Sequence, residues 1–273
     1  MDLSNLTFKG LVFILLISAV IPVVSQEYSY PCITTDYAKS VVTDSWNVFR
    51  SPVEWKAKSW TAFGLVSVTG LVIAAQDLQI RNWVQEHRSP FGDDLEKYGL
   101  EPWGKGIYSA ALLGGLYFGG RLSGNDRASA TALTAGKAAI ISSFYVQVIK
   151  QLTHRHRPYQ DNPADPGRWD GPLSSWKYNS FPSGHSALAF SVATVLASEY
   201  RETIWVPLVA YTLAAGTALS RIYIDKHWAS DAFAGAVFGY VCGRFIWKQN
   251  CRITIIPALS NGVSSCNISI SIK

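Results

Sequence analysis

The 273-residue chain is poor in charge: Asp, Glu, Lys and Arg make up 16% of it, against 48% hydrophobic residues. Neither an intrinsically disordered chain nor a coiled coil has that balance. Long basic runs are missing too. The 24 basic residues stand against 19 acidic ones, and the net charge of +5 is spread without the interleaved aromatic and basic pattern of a nucleic-acid surface. The four cysteines, Cys32, Cys242, Cys251 and Cys266, lack zinc-ligand spacing. No carboxylate cluster has the pattern of a divalent-metal site. Mean hydropathy is only +0.12, modest for a chain threaded repeatedly through lipid. What the chain does have is small residues. Its 21 glycines, with a large stock of alanine, point to helices packed backbone to backbone.

The N-terminus reads as a secretory signal. Lys9 precedes a nearly unbroken apolar stretch, Leu11 to Val24, which ends in Val23-Val24-Ser25 before Gln26-Glu27. A basic residue, a short apolar core and then small or branched residues is the order that a signal peptidase reads. The stretch is short for a membrane span and carries Pro22, so residues 1–25 are expected to be cleaved after Ser25. Export makes disulfides permissible. Cys242 lies in an apolar run and reads as a core residue.

Residues 26–59 are mixed and show no clear periodicity, an N-terminal extension. The expected domain, residues 60–250, contains the apolar segments Trp60–Gln76, Gly106–Gly120, Ala128–Val148, Ala187–Ala197, Trp205–Leu219 and Ala232–Trp247. Their length and Ala/Gly content suit helices, and most fall short of the roughly 20 residues of a bilayer span. Gly115/Gly119, Gly120/Gly124, Gly235/Gly239 and Gly239/Gly243 have the spacing that lets helices approach closely. Leu78–Tyr98 is amphipathic and charged, a surface helix with a loop. If residue 26 is exported and all six segments span, the motifs described next would face the cytoplasm. The expectation is therefore an exported, periplasmic or extracytoplasmic helical body, with membrane association left open. In the tail, residues 251–273, isoleucines alternate with polar residues around Asn261-Gly262. That pattern predicts a β-hairpin pairing Ile253 with Ile270 and Ile255 with Ile268.

Three clusters carry chemistry. The first runs from Lys150 to Arg157-Pro158 at the end of a helical segment that Pro158 should stop. A lysine and an arginine two turns apart form a clamp for an oxyanion; a solvated basic helix end has the same composition. The second is Phe181-Pro182-Ser183-Gly184-His185, just before an apolar helix. Ser183 suits an N-cap, and Gly184 lets a phosphate approach the backbone N–H groups of a helix start. Alone, it would be an ordinary loop-to-helix boundary. The third contains Ser220-Arg221, His227 and Asp231. His227 and Asp231 are four apart and share a helix face, so a carboxylate on Nδ1 would fix the tautomer and leave Nε2 as a nucleophile. The loop Tyr159–Ser180 between the first two clusters carries Trp169, Trp176 and Tyr178. It reads as a lid or substrate-binding element, or as aromatic residues that pack the loop down. Asp225 reads as a surface partner of a nearby base, and His154, Arg155 and His156 receive no role.

In order and spacing, Lys-x6-Arg-Pro, Pro-Ser-Gly-His and Ser-Arg-x5-His-x3-Asp resemble the type 2 phosphatidic acid phosphatase and vanadium haloperoxidase superfamily. The resemblance covers roughly Trp60 to Trp247. It implies an all-α bundle of about six core helices in which Lys150, Arg157, Ser183, the Gly184 amide and Arg221 bind phosphoryl oxygens. It implies that His227, oriented by Asp231, forms a phosphohistidine while His185 protonates the leaving oxygen and then activates water. No metal or other cofactor is expected, vanadate is expected to inhibit, and the substrate is expected to be a phosphorylated lipid or a small phosphoester. A soluble acid phosphatase and a vanadate-dependent haloperoxidase are the alternatives that use the same pocket.

Overall fold

The computed structural model describes residues 32–172 and 174–250, with the backbone alone of residues 253, 254, 271 and 272. The expected cleavage site, Cys251 and Cys266 lie outside the described residues; Cys32 and Cys242 are free thiols. The helices are α1 (Thr35–Arg50), α2 (Ala57–Ala75), α3 (Asp77–Glu86) and the short α4 (Pro90–Asp94). A π-helical turn, Leu95–Leu100, leads into α5 (Glu101–Gly104). Then follow α6 (Ile107–Ser123), α7 (Asp126–Thr153), α8 (Gly184–Glu199), α9 (Trp205–Tyr223) and α10 (Ala229–Asn250). Each of the six expected apolar segments is a helix, and each helix is longer than its apolar run.

Helix α8 is the axis of the fold, packed between α7, α9 and α10. Its buried side chains are small or branched, among them Ala187, Ala189, Ser191, Val192, Ala193 and Val195. Small residues let α10 approach it at backbone distance. A Cβ on Gly239 would stand 2.2 Å from the Ala187 carbonyl oxygen, and one on Gly235 the same distance from that of Ser183. Gly243 meets the Ser191 carbonyl in the same way. The expected glycine row of α10 is thus a packing surface, whereas Gly119 on α6 faces open space. Cys242 lies in the core beside Ile141, Val195 and Ile246.

The extension is more ordered than its sequence implied. Thr34 caps α1 by accepting the Tyr37 N–H at 3.1 Å. Tyr37, Val41, Asp44 and Val48 recur at helical spacing. The Tyr37 hydroxyl donates to the Leu133 carbonyl, and Val41 and Val48 pack on the core. Asp44 interrupts the apolar stripe because it pairs with fully buried Lys137 at 2.8 Å. That inward carboxylate hid the period. Among the described residues of the tail, Ile253–Thr254 and Ser271–Ile272 pair antiparallel, with Ile253 opposite Ile272. The expected hairpin register is therefore not found. A slip of two residues keeps every side chain on its own face, so alternation alone cannot fix the register.

The helices alternate in direction, which brings the C-terminal ends of α7 and α9 and the N-terminal ends of α8 and α10 to one end of the bundle. The outside is apolar. On α2, which buries no residue, Trp60, Phe63, Leu65, Val68, Leu71 and Val72 are all at least half exposed. Ile140, Phe144 and Leu152 on α7 and Trp205 and Leu208 on α9 continue this exposed surface. Helices α2 and α7 are long and apolar enough to cross a membrane. With 28 residues, α7 is about 42 Å long, more than the ~30 Å of a bilayer core. The apolar runs understated the spans because each helix continues past its run.

Candidate active site

The first cluster is not a single helix. Helix α7 ends at Thr153, where His154 takes a left-handed conformation (φ 41°) and returns its N–H to the Lys150 carbonyl. Pro158 is therefore not the stop, and Arg157 lies beyond the helix. What joins Lys150 and Arg157 is Asn179. Its carbonyl accepts from Lys150 Nζ, and its side-chain oxygen accepts from Arg157 Nε and Nη2 at 3.1 and 2.8 Å. Arg157 and Arg221 both lie close enough to repel the buried Lys150 ammonium.

The second cluster starts α8 as expected. Ser183 is the N-cap, its Oγ accepting from the Ser186 N–H at 3.4 Å. Gly184 opens the helix, and a Cβ there would lie 4.0 Å from Lys150 Cε. His185 packs against α5, where a Cβ on Gly104 would stand 2.5 Å from the imidazole Cδ2. Its Nε2 is buried without a protein partner.

In the third cluster, Arg221 sits in the last turn of α9, with Nη1 3.4 Å from both Glu96 and Glu101. Its buried Nε is also without a partner. The Glu96 carboxyl is pushed above its ordinary range by burial and by the charge of Glu101, with Arg221 opposing. Unused donors on Arg221 and His185, and three crowded cations, describe a pocket arranged for an oxyanion.

His227 lies in the turn between α9 and α10, 3% exposed. Its expected direct bond to Asp231 is replaced by a bridge. Nδ1 stands 3.7 Å from Asp231 Oδ2, whereas Ser180 Oγ donates to that oxygen at 2.5 Å and lies 3.4 Å from Nδ1. A serine that donates to the carboxylate turns a lone pair to the ring, so Nδ1 carries the proton and Nε2 is the basic nitrogen. Asp231 also accepts the Trp228 N–H and a bond from Arg155. Burial pushes the His227 imidazole down to about 3, against the attraction of the Asp231 carboxylate, so the ring is neutral at ordinary pH.

The structure thus brings Lys150, Arg157, Ser183, Gly184, His185, Arg221, His227 and Asp231 to one end of the bundle. Sequence reasoning missed Ser180, Asn179, Arg155, Asp77, Glu96 and Glu101. Ser180 stands one residue before the second cluster and Arg155 lies inside the first, but neither had a spacing to mark it. Asp225 is, as expected, paired with a base: Arg81 holds it through two bonds of 2.7 Å. The 159–180 loop is pinned down. Trp169 lies over Arg155, and Tyr178 stacks at 3.7 Å on His156, whose ring nitrogens face Asp161 and Asp170. Trp176 is 68% exposed, and Trp169 keeps 45% of its surface exposed although it lies over Arg155. Among the described residues, no group of three or more His, Cys, Asp or Glu could hold a metal.

Residues 131–254 match the family model described as the PAP2 superfamily. Among curated relatives, the lipid A 1-phosphatase of Porphyromonas gingivalis is 46% identical over 66 residues, 24% of this chain and 15% of that protein. The decaprenylphosphoryl-5-phosphoribose phosphatase of Mycobacterium tuberculosis is 32% identical over 115 residues, 42% of this chain and 58% of that protein. The chain spans less than two thirds of the length of either. The crystal structure of Aquifex aeolicus LpxE superposes with a TM-score of 0.50 at 24% identity, covering 63% of this chain and 94% of that one. At that identity it supports the all-α fold alone.

The depressed His227 basicity has a consequence for stability. Its folded pKa of about 3 lies below the unfolded value of 6.5. The unfolded state therefore binds the extra proton between those values, and stability falls as pH drops through 6.5, by at most about 1.4 kcal/mol per unit. Thermal unfolding of wild type should lose more between pH 7 and pH 5 than that of His227→Gln. Equal losses would contradict a neutral buried ring.

Proposed function

We propose that the chain is a metal-independent phosphatase of lipid phosphates that works through a phosphohistidine. The observation that carries the reading is the convergence of Lys150, Arg157 and Arg221 on the first turn of α8, beside His185 and a neutral, oriented His227. Phosphoryl transfer demands in-line positioning and charge neutralisation, and three fixed cations with the N-terminus of α8 supply the second. Ser183 and the Gly184 amide complete the cradle. His227 Nε2 attacks phosphorus, the P–O bond to the leaving group breaks, and His185, protonated once the phosphoryl anion is bound beside it, gives its proton to the departing oxygen. Neutral His185 then takes a proton from water as the water oxygen bonds to phosphorus and the N–P bond breaks. Phosphate leaves, and both histidines return to their starting forms.

A lipid substrate is supported by the apolar outside of the bundle and by relatives named for lipid A and decaprenyl-linked phosphates. That outside belongs in a bilayer. Because the helices alternate, the start of α2 and the active site lie at opposite ends. A site outside the cytoplasm, which we favour, then requires residue 56 to be cytoplasmic. Cleavage after Ser25 and a spanning α2 would together turn the site to the cytoplasm.

The function is tested by phosphate release from phosphatidate and from p-nitrophenyl phosphate in detergent. Wild type should release phosphate with chelator present, and orthovanadate should compete with substrate. His227→Ala should abolish turnover, and His185→Ala should slow it ~10²–10⁴-fold. Near wild-type activity in folded His227→Ala would overturn the mechanism. Membrane insertion is tested by carbonate washing, after which the protein should stay in the membrane fraction. Release into the supernatant would refute a spanning bundle.

A further inference from the structure

Arg155 is the most heavily bonded side chain behind the site, and the reaction just described does not use it. It is 2% exposed. Nη1 donates to Asp231 Oδ1 at 2.6 Å and to Ser230 Oγ at 2.8 Å. Nη2 donates at 2.8 Å to Asp77 Oδ2 and to the Pro166 carbonyl, which Nε also reaches at 3.2 Å. Trp169 and Trp228 flank the guanidinium. Asp77, 1% exposed at the start of α3, accepts the Ser230 N–H at 2.9 Å and its hydroxyl at 2.5 Å. The Arg155 carbonyl accepts the Ser180 N–H at 2.9 Å. One residue therefore fixes both the carboxylate and the hydroxyl that stand behind His227.

From this geometry we infer that Asp77 and Arg155 are positioning residues for the His227–Asp231 couple; the inference rests on His227 being the nucleophile. Arg155 points Asp231 and Ser180 at Nδ1. By itself, though, it would cancel the charge of Asp231. Once Nε2 bonds to phosphorus, the ring carries a positive charge that needs a counter-ion in a dry site. Asp77 restores it: two carboxylates around one guanidinium leave one net negative charge for the phosphorylated imidazolium. Buried charges earn such a role only as a complete set, because removing one partner exposes the others to the full cost of desolvation. Asp77 lies outside the matched residues 131–254, as do Glu96 and Glu101, so α3 contributes to a site whose motif residues all fall inside the match.

The test uses the full chain in detergent with phosphatidate. Asp77→Asn should lower kcat on the order of 10–100-fold, the range typical of partners that orient a reacting group, with KM within about 3-fold. Arg155→Lys, which keeps the charge but loses the fork, should recover part of what Arg155→Met loses. Adding Arg155→Met to Asp77→Asn should cost less than the two single losses multiplied, because the removed charges cancel. The second readout is independent of turnover: the downfield Nδ1–H proton resonance, assigned by its absence in His227→Gln, should move in Asp77→Asn. An unmoved resonance, with kcat falling only with the folded fraction, would overturn the inference. If wild type releases no phosphate, the phosphatase reading fails, and the resonance alone still decides whether Asp77 acts on His227.

Discussion

The whole site depends on how closely α8 and α10 pack at their first turns. The Ser183 N–H donates to the Asp231 carbonyl at 2.9 Å, and Gly235 stands where any side chain would strike the Ser183 carbonyl. That contact places the helix start that would receive a phosphate against the turn that carries His227. Residues 44 apart in the chain, Ser183 and His227, become neighbours only because α10 presents glycine to α8 every fourth residue. A β-carbon at Gly235 or Gly239 would push the two helix starts apart, and the first turn of α8 would separate from His227.

Around that contact the charges are arranged in two groups with different jobs. Lys150, Arg157 and Arg221 crowd together with unused donors, and Glu96 and Glu101 are their nearest carboxylates on the Arg221 side. An arriving phosphate would relieve that repulsion. Behind His227 the arrangement is the reverse: Asp77, Arg155, Ser180, Ser230 and Asp231 satisfy one another almost completely. The first group is set up to bind something absent from the chain, the second to hold still.

Much of the site was legible in the sequence because its parts are short and local. A Pro-Ser-Gly-His before an apolar run encodes a helix start, and His227 with Asp231 encodes a shared face. The six apolar segments were legible because apolar runs of that length leave few other folds. Helix α1 was not, since Asp44 breaks its stripe in order to meet Lys137. Arg157 was misplaced because the left-handed turn at His154 ends α7 early, and a non-glycine residue gives little warning of that conformation. Asp77, Glu96 and Glu101 were invisible for a different reason. Each is a single carboxylate whose partner at the site lies more than 75 residues away, and only the folded bundle brings the two together; the local pair of Glu101 with Lys105 says nothing of Arg221. The direct His227–Asp231 bond failed by one hydroxyl, because Ser180 enters the gap from a loop without periodicity.

The central claim is that His227 becomes covalently phosphorylated. Wild-type protein mixed with phosphatidate labelled at its phosphate, quenched within milliseconds in alkali and digested, should yield one labelled peptide. That peptide should contain His227, and its label should survive base and be lost in acid, as a phosphoramidate is. Label on any other residue, or rapid release of phosphate with no labelled peptide at any quench time, would contradict the account.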